Sequence, residues 1–263
     1  MGKITFLGTG TSQGIPMIGC TCPVCKSSDP RDNRLRTSAL VEHNGFRILI
    51  DCGPDFRQQM LRENISELDA VILTHQHKDH TGGLDDIRAF NYFRKEAFPI
   101  YAEPLVQESL KMEYSYAFAE HKYPGVPEYH LYTIGEEPFT IFKHLPDGST
   151  ASLTINPIRV YHYKLPILGF RIGDMAYITD GSSIPEGEYS KLQGVELFII
   201  NTVRKEKHIS HFSLPEALDV IKKVGAKRNY LTHMSHQLGT HQELCKQLPE
   251  NVLPAHDRLV LEF

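Results

Sequence analysis

The segment Thr74-His75-Gln76-His77-Lys78-Asp79-His80 decides how this chain is read. Four residues able to bind a metal lie within six positions, directly after the apolar run Ala70-Val71-Ile72-Leu73, which reads as a buried strand. His75 and His77 are two apart, so on an extended chain they point the same way. Asp79 and His80 lie beyond, where the chain must turn, and can face a second ion. Imidazole with carboxylate suits zinc, manganese or iron. The plain alternative, a polar surface loop rich in histidine, leaves the clustering unexplained.

Working outward, the strand-like pieces on either side set the architecture. Lys3 to Leu7 reads as a short strand ending in the turn Gly8-Thr9-Gly10. The next glycine, Gly14, comes one residue late for a dinucleotide fingerprint, and no helix pattern follows. Ser38–His43 and Phe46–Asp51 flank Asn44-Gly45, a hairpin signal. Helices are expected over Asp55–Asn64, Gly82–Phe93 and Pro104–Tyr116, with a strand at Ile100–Ala102. Residues 120–138, rich in Pro, Gly and Tyr, read as a covering loop or lid. Strands are expected over Ser152–Tyr161, Gly169–Ile172, Met175–Thr179, Glu196–Asn201 and Tyr230–Thr232. Apolar residues at 214, 217, 218, 220, 221 and 224 mark an amphipathic helix closed by Gly225. Hairpins mixed with strands that alternate with helices predict a layered two-sheet α/β domain.

Composition narrows the function. The 263 residues carry 28 basic and 32 acidic side chains, a formal balance of −4. That disfavours binding of long nucleic acid by bulk charge. No apolar run spans a membrane, and the N-terminal residues do not read as a signal peptide, so a cytoplasmic protein is expected. The five cysteines agree, because three crowd into Cys20-Thr-Cys22-Pro-Val-Cys25, which in a reducing compartment reads as a metal site rather than a disulfide framework. Cys52 and Cys245 have no assigned partners.

His-x-His-x-Asp-His after an apolar strand resembles the metallo-β-lactamase superfamily. The resemblance continues in order along the chain, through Asp51, His162, Asp180 in Ile-Thr-Asp-Gly and His233 in Leu-Thr-His. Taken singly, His162 and His233 would more often be structural histidines. The resemblance implies a single domain, residues 1–263, with a four-layer αββα fold, two mixed β-sheets sandwiched between helices. It also implies two divalent metal ions, zinc or manganese. One would take His75, His77 and His162; the other would take Asp79, His80 and His233, with Asp180 shared. Asp51 would orient ligands rather than touch metal.

Two ions about 3.5–4 Å apart suit in-line displacement at phosphorus, and the resemblance implies attack by a metal-bridging hydroxide. The first strand and turn, with Arg36-Thr37-Ser38, resemble the phosphodiesterase branch that includes ribonuclease Z. In that branch a histidine at the place of His211 contacts the scissile phosphate or protonates the leaving oxygen, and Asp79 belongs to the catalytic set. His208 has no counterpart there. The Cys20, Cys22, Cys25 loop, at about residues 19–26, joins Leu-Thr-His-x-Ser-His-Gln in resembling the phosphoribosyl cyclic phosphodiesterases of carbon–phosphorus lyase pathways. That resemblance implies a structural zinc completed by His236. The expected substrate is a small, cyclic phosphodiester, with no long nucleic acid and no membrane partner. A homodimer is an expectation from the resemblance alone. A ribonuclease Z-like nuclease and a thioester or carboxyl-ester hydrolase are the alternatives on the same centre. Only 18 positions separate His162 from Asp180, too few for the tRNA-gripping arm of ribonuclease Z, whereas the 81 residues between His80 and His162 would form much of the rim.

Overall fold

The structure, a computed structural model, describes residues 2–263. In chain order the elements are β1 (Lys3–Gly8), β2 (Ser38–His43), β3 (Phe46–Ile50), α1 (Phe56–Arg62), β4 (Ala70–Ile72), α2 (Lys78–Thr81), α3 (Arg88–Arg94), β5 (Phe98–Ala102), α4 (Pro104–Glu113) and α5 (Ser115–Phe118). They continue with β6 (Tyr129–Thr133), β7 (Phe139–His144), β8 (Thr150–His162), β9 (Leu165–Ile172), β10 (Met175–Ile178), β11 (Leu197–Asn201), α6 (Leu214–Val224), β12 (Arg228–Thr232), α7 (His241–Gln247), β13 (Val252–Pro254) and β14 (Val260–Glu262).

Two seven-stranded sheets run β14-β1-β2-β3-β4-β5-β6 and β13-β12-β11-β10-β9-β8-β7. Each is mixed. Antiparallel pairing joins β14, β1, β2 and β3, and again β7, β8, β9 and β10, whereas β3 through β6 and β10 through β13 are parallel. Alternation along each strand divides its side chains between two cores. From β3 and β4, Ile48, Ile50 and Ile72 pack between the sheets against Phe170, Tyr177 and Ile199 of β9, β10 and β11. Leu49 and Val71 point outward to Phe56 and Met60 of α1 and Val106 and Leu110 of α4. On the far side Phe198 and Ile200 meet Ala217, Val220 and Ile221 of α6 and Leu244 of α7. These are the four expected layers.

Local chemistry explains the boundaries. Asn44 and Gly45 both have positive φ, the conformation that a type I′ hairpin turn demands. Helix α6 opens on a Ser213–Glu216 capping box and ends at Gly225 in the left-handed region. Two expectations need correction. Residues 120–138 are not a free lid. Tyr129–Thr133 within them is edge strand β6, paired in parallel with β5, and the Glu128 carbonyl is held by the Phe98 amide and the Asn91 side chain. Pairing with an open sheet edge overrides the Pro- and Gly-rich composition. The helix expected over Gly82–Phe93 is also interrupted: a 3-10 turn at Leu84–Ile87 precedes α3. Gly83 passes so close to Gly53 that a Cβ there would lie 2.1 Å from the Gly53 carbonyl oxygen. Among the described residues no helix is long and apolar enough to cross a membrane.

Candidate metal centre

Strands β3, β4, β8, β10 and β12 all deliver their C-terminal ends to one end of the sandwich. There the chain presents Asp51, His75, His77, His162, Asp180 and His233. Three of these residues, Asp51, Asp180 and His233, have φ of 61°, 56° and 52°. A left-handed backbone costs a residue with a Cβ on the order of 1–3 kcal/mol, and such strain persists where the surrounding structure fixes it. Here each turn swings a carboxylate or imidazole off its strand end and into the shared cluster.

The strongest convergence joins Asp79, His80, Asp180 and His233, whose donor atoms all lie within 4.8 Å of one another. His80 Nε2 is 2.9 Å from Asp180 Oδ2 and 3.3 Å from Asp79 Oδ2, and His233 Nε2 is 3.2 Å and 3.6 Å from the same two oxygens. Ligands held at about 2.0–2.1 Å around a tetrahedral ion stand about 3.3 Å apart, so these separations are those of a coordination shell. His80 Nε2 and His233 Nε2, the two nitrogens that face the carboxylates, are buried with no hydrogen-bond partner, a costly state that a cation would relieve.

The tautomers agree. His80 Nδ1 donates to Asp51 Oδ2 at 2.7 Å, which turns its Nε2 to the cluster as the nitrogen that would ligate. The Thr74 hydroxyl donates to Asp51 and therefore accepts from His75 Nδ1 at 2.9 Å, freeing His75 Nε2 in turn. His162 Nδ1 donates to the Asp180 carbonyl at 2.8 Å, with the same consequence. Histidine ligands are oriented for metal in this way. Asp51 sits behind the cluster and holds it, and Thr74 is a relay that the motif reading passed over. Its place between an apolar strand and His75 was the available signal.

The other proposed set is looser. His75 Nε2 lies 3.1 Å from His77 Nδ1, and the His77 and His162 rings are 5.0 Å apart. His162 itself converges within 4.8 Å on Asp180 and His211. His211 is buried, its Nδ1 3.6 Å from Asp180 Oδ1.

Charge follows the geometry. Burial opposes a proton on His80, but the Asp180, Asp51 and Asp79 carboxylates outweigh it and hold its pKa well above the usual imidazole range, so a cation at Nε2 would take the place of a proton there while Nδ1 keeps its own on Asp51. Burial opposes charge on Asp180 too, yet His233 and His80 keep its carboxyl well below the ordinary value. Burial, reinforced by the charge of His80, drives the pKa of His75 far down. Burial also pushes the His211 imidazole down to about 3, with Asp180 pulling the other way. Adjacent histidines and carboxylates that share protons in this way are a cation site by their donor chemistry.

A second cluster lies outside this one. Cys20, Cys22, Cys25 and His236 bring three sulfurs and a nitrogen within 4.8 Å of one another. His236 Nδ1 is 3.3 Å from Cys20 Sγ and 3.2 Å from Cys22 Sγ. The Cys25 amide donates to Cys22 Sγ and, with His236, lowers that thiol's pKa to about 6. Burial pushes Cys25 up to about 11. Three sulfurs and an imidazole form a tetrahedral zinc donor set. Cys52 and Cys245 join neither cluster.

Four layers with a histidine–carboxylate cluster at one end of two sheets define a class, the hydrolases of metallo-β-lactamase type. The pattern described as Beta-lactamase superfamily domain matches residues 46–234. The chain belongs to that superfamily. A crystal structure of a diphosphatase from the PhnP family superposes with a TM-score of 0.89 at 38% identity, covering 100% of this chain and 98% of that one. An octanoyltransferase from Porphyromonas gingivalis is 43% identical over 98% of this chain; the chain spans about half (51%) of that relative's length. A ribonuclease Z from Mycobacterium bovis is 26% identical, over 92% of this chain and 89% of its own.

Proposed function

We propose that the protein is a metal-dependent phosphodiesterase acting on a small phosphodiester, a cyclic phosphate on a phosphorylated ribose being the favoured form. The observation that carries this reading is the convergence of Asp79, His80, Asp180 and His233 with unpartnered nitrogens turned inward. His75, His77 and His162 would hold one ion, and Asp79, His80 and His233 the other, with Asp180 between them. When bound, such ions acidify water and offset charge on phosphoryl oxygens. Cys20, Cys22, Cys25 and His236 would hold a structural zinc. The likeness to a PhnP-family diphosphatase supports chemistry at phosphorus.

The residues of the chain supply orientation and a donor. Asp51 and Thr74 fix the rings of His80 and His75. Burial keeps His211 neutral at pH 7, so it meets the substrate as an N–H donor to a phosphoryl oxygen; transfer of a proton to the leaving oxygen waits on the charge that the substrate brings. Long RNA is disfavoured by the β8–β9 connection, in which His162 pairs with Leu165 across only Tyr163 and Lys164. Acyl transfer through Cys52, the cysteine adjoining the centre's Asp51, is disfavoured as well. Cys52 is fully buried, and burial holds its thiol well above the ordinary pKa.

The test follows 5-phosphoribosyl 1,2-cyclic phosphate by phosphorus NMR with manganese- or zinc-loaded protein and an Asp79→Ala control. Conversion to a phosphomonoester by wild type alone is the expected result. Turnover of an octanoyl thioester with both this substrate and bis(p-nitrophenyl) phosphate untouched would refute it.

A further inference from the structure

The loop between β11 and α6 carries residues that the metal centre does not use. A row of imidazoles leads out from the centre to it. The His77 and His162 ring centroids are 5.0 Å apart, those of His162 and His211 4.7 Å, and those of His211 and His208 5.0 Å. His208 is the outer, half-buried end of that row. Its Nδ1 accepts from the Ser210 backbone N–H at 3.3 Å. A backbone N–H only donates, so in the neutral ring the proton is on Nε2, a donor of fixed identity. Burial and the Arg204 charge lower the pKa of His208, which keeps the ring in that neutral form.

Arg204 shapes the same loop. Its Nε donates to the Glu206 carbonyl and its Nη2 to the Lys207 carbonyl. Among the described residues Nη1 has no partner and no carboxylate pairs with the guanidinium. The base of the loop is pinned, since the Val203 amide donates to Phe212, the Leu214 amide to Arg204, and the Ser235 amide and hydroxyl both reach the Val203 carbonyl. Over residues 204–208 the sequence Arg-Lys-Glu-Lys-His carries three cations and one anion.

We propose that the Arg204–His208 loop is an anion subsite, resting on the phosphodiesterase reading above. In it His208 Nε2–H and the free edge of Arg204 hold a second anionic group of the substrate, a phosphate carried by the part of the molecule beyond the scissile diester. The substrate class is therefore a phosphodiester that bears a further phosphoryl group within one imidazole's reach of His211. A pinned base, a donor of fixed tautomer and an uncompensated guanidinium next to the reacting end suit that task, and a solvated surface loop requires none of them.

Two variants separate binding from architecture. In His208→Asn the amide oxygen takes the place of Nδ1, so the bond from Ser210 is kept and the outer donor is lost. His208→Gln places an amide N–H near the Nε2 position and gives up the inner acceptor. Each is assayed on 5-phosphoribosyl 1,2-cyclic phosphate and on ribose 1,2-cyclic phosphate, which lacks the second phosphate. Calorimetry with ribose 5-phosphate adds a readout that needs no turnover. The expected result for His208→Asn is a KM about ten- to a hundredfold higher on the phosphorylated substrate only, with weaker ribose 5-phosphate binding to match. His208→Gln should stay within a few-fold of wild type. Equal losses on both substrates, or loss in Gln but not Asn, would make His208 a structural residue and overturn the subsite. Unchanged KM in both variants would overturn it as well. Wild-type inactivity on both ribose substrates with no ribose 5-phosphate binding would overturn the subsite too, and inactivity on bis(p-nitrophenyl) phosphate as well would remove the parent reading with it.

Discussion

Asp51→Asn is a nearly isosteric change that the geometry makes severe. Oδ1 of Asp51 accepts from the Thr74 amide at 2.9 Å, and Oδ2 accepts from His80 Nδ1 at 2.7 Å. An asparagine has only one acceptor oxygen to meet both donors. If its oxygen faces Thr74, its amide nitrogen faces the His80 N–H. If it is flipped, the nitrogen faces the Thr74 backbone N–H. Asp51, His80 and Thr74 are buried, so no water rescues the clash. One buried donor left unsatisfied costs about 1–3 kcal/mol. The cheapest escape is for His80 to move its proton to Nε2, the nitrogen that faces Asp79 and Asp180, and there the ring cannot ligate. The variant should therefore lose about 10–100-fold in affinity for the ion near His80 and fall in thermal stability. Competition against a graded series of chelators, with metal content read by mass spectrometry, measures this directly. Asp51→Asn protein with wild-type stoichiometry and affinity would refute the tautomer argument.

Other perturbations test other parts of the molecule. Cys22→Ser should release one zinc per chain and lower the melting temperature, while metal at the histidine cluster is retained; unchanged zinc content and melting would remove the structural-zinc assignment. Gly83→Ala drives a Cβ to 2.1 Å from the Gly53 carbonyl oxygen and 2.6 Å from Phe56 Cβ. It should destabilise by about 3 kcal/mol, and a denaturant midpoint equal to that of wild type would show that the contact relaxes freely. His241, whose pKa burial and Arg34 lower to about 4, binds its proton in the unfolded chain near 6.5. Its contribution is thus intact above pH 6.5 and is lost as pH falls from there toward 4. His241→Gln should lessen the acid-side loss by about 1–2 kcal/mol; parallel stability curves for variant and wild type would contradict the depressed pKa.

Much of this architecture is legible because burial writes itself into local patterns. Ala70–Leu73 and Leu197–Ile200 are apolar on both faces since each lies between a helix layer and the other sheet, and α6 carries its stripe over eleven residues between a capping serine and a closing glycine. What stayed hidden has little local signal. Strand β14 is three residues long and half-exposed, and β6 gains its order from β5. Helix α7 carried a readable sign, the Thr240–Glu243 capping box, which lay just beyond the last motif of interest.

The candidate site was legible for a different reason, and less completely. Ligand types and their order are a matter of composition along the chain, whereas the joining of the two sheets' contributions is not. Asp51, His75, His77, Asp79 and His80 come from the first sheet, and His162, Asp180, His211 and His233 come from the second. Three of the strand ends involved turn through left-handed φ to meet. No spacing rule links Asp51 to His80 and Thr74. Their contact exists because β3 and β4 pair in parallel, with Ile50 opposite Ile72, so that both strands end together. Parallel pairing thus sets two donors and a carboxylate side by side, and the hydrogen bonds then choose the tautomers. A change that shifts the β3–β4 register by one residue would leave every ligand present in the sequence and the centre unable to hold an ion. The candidate centre therefore depends on register as much as on its histidines.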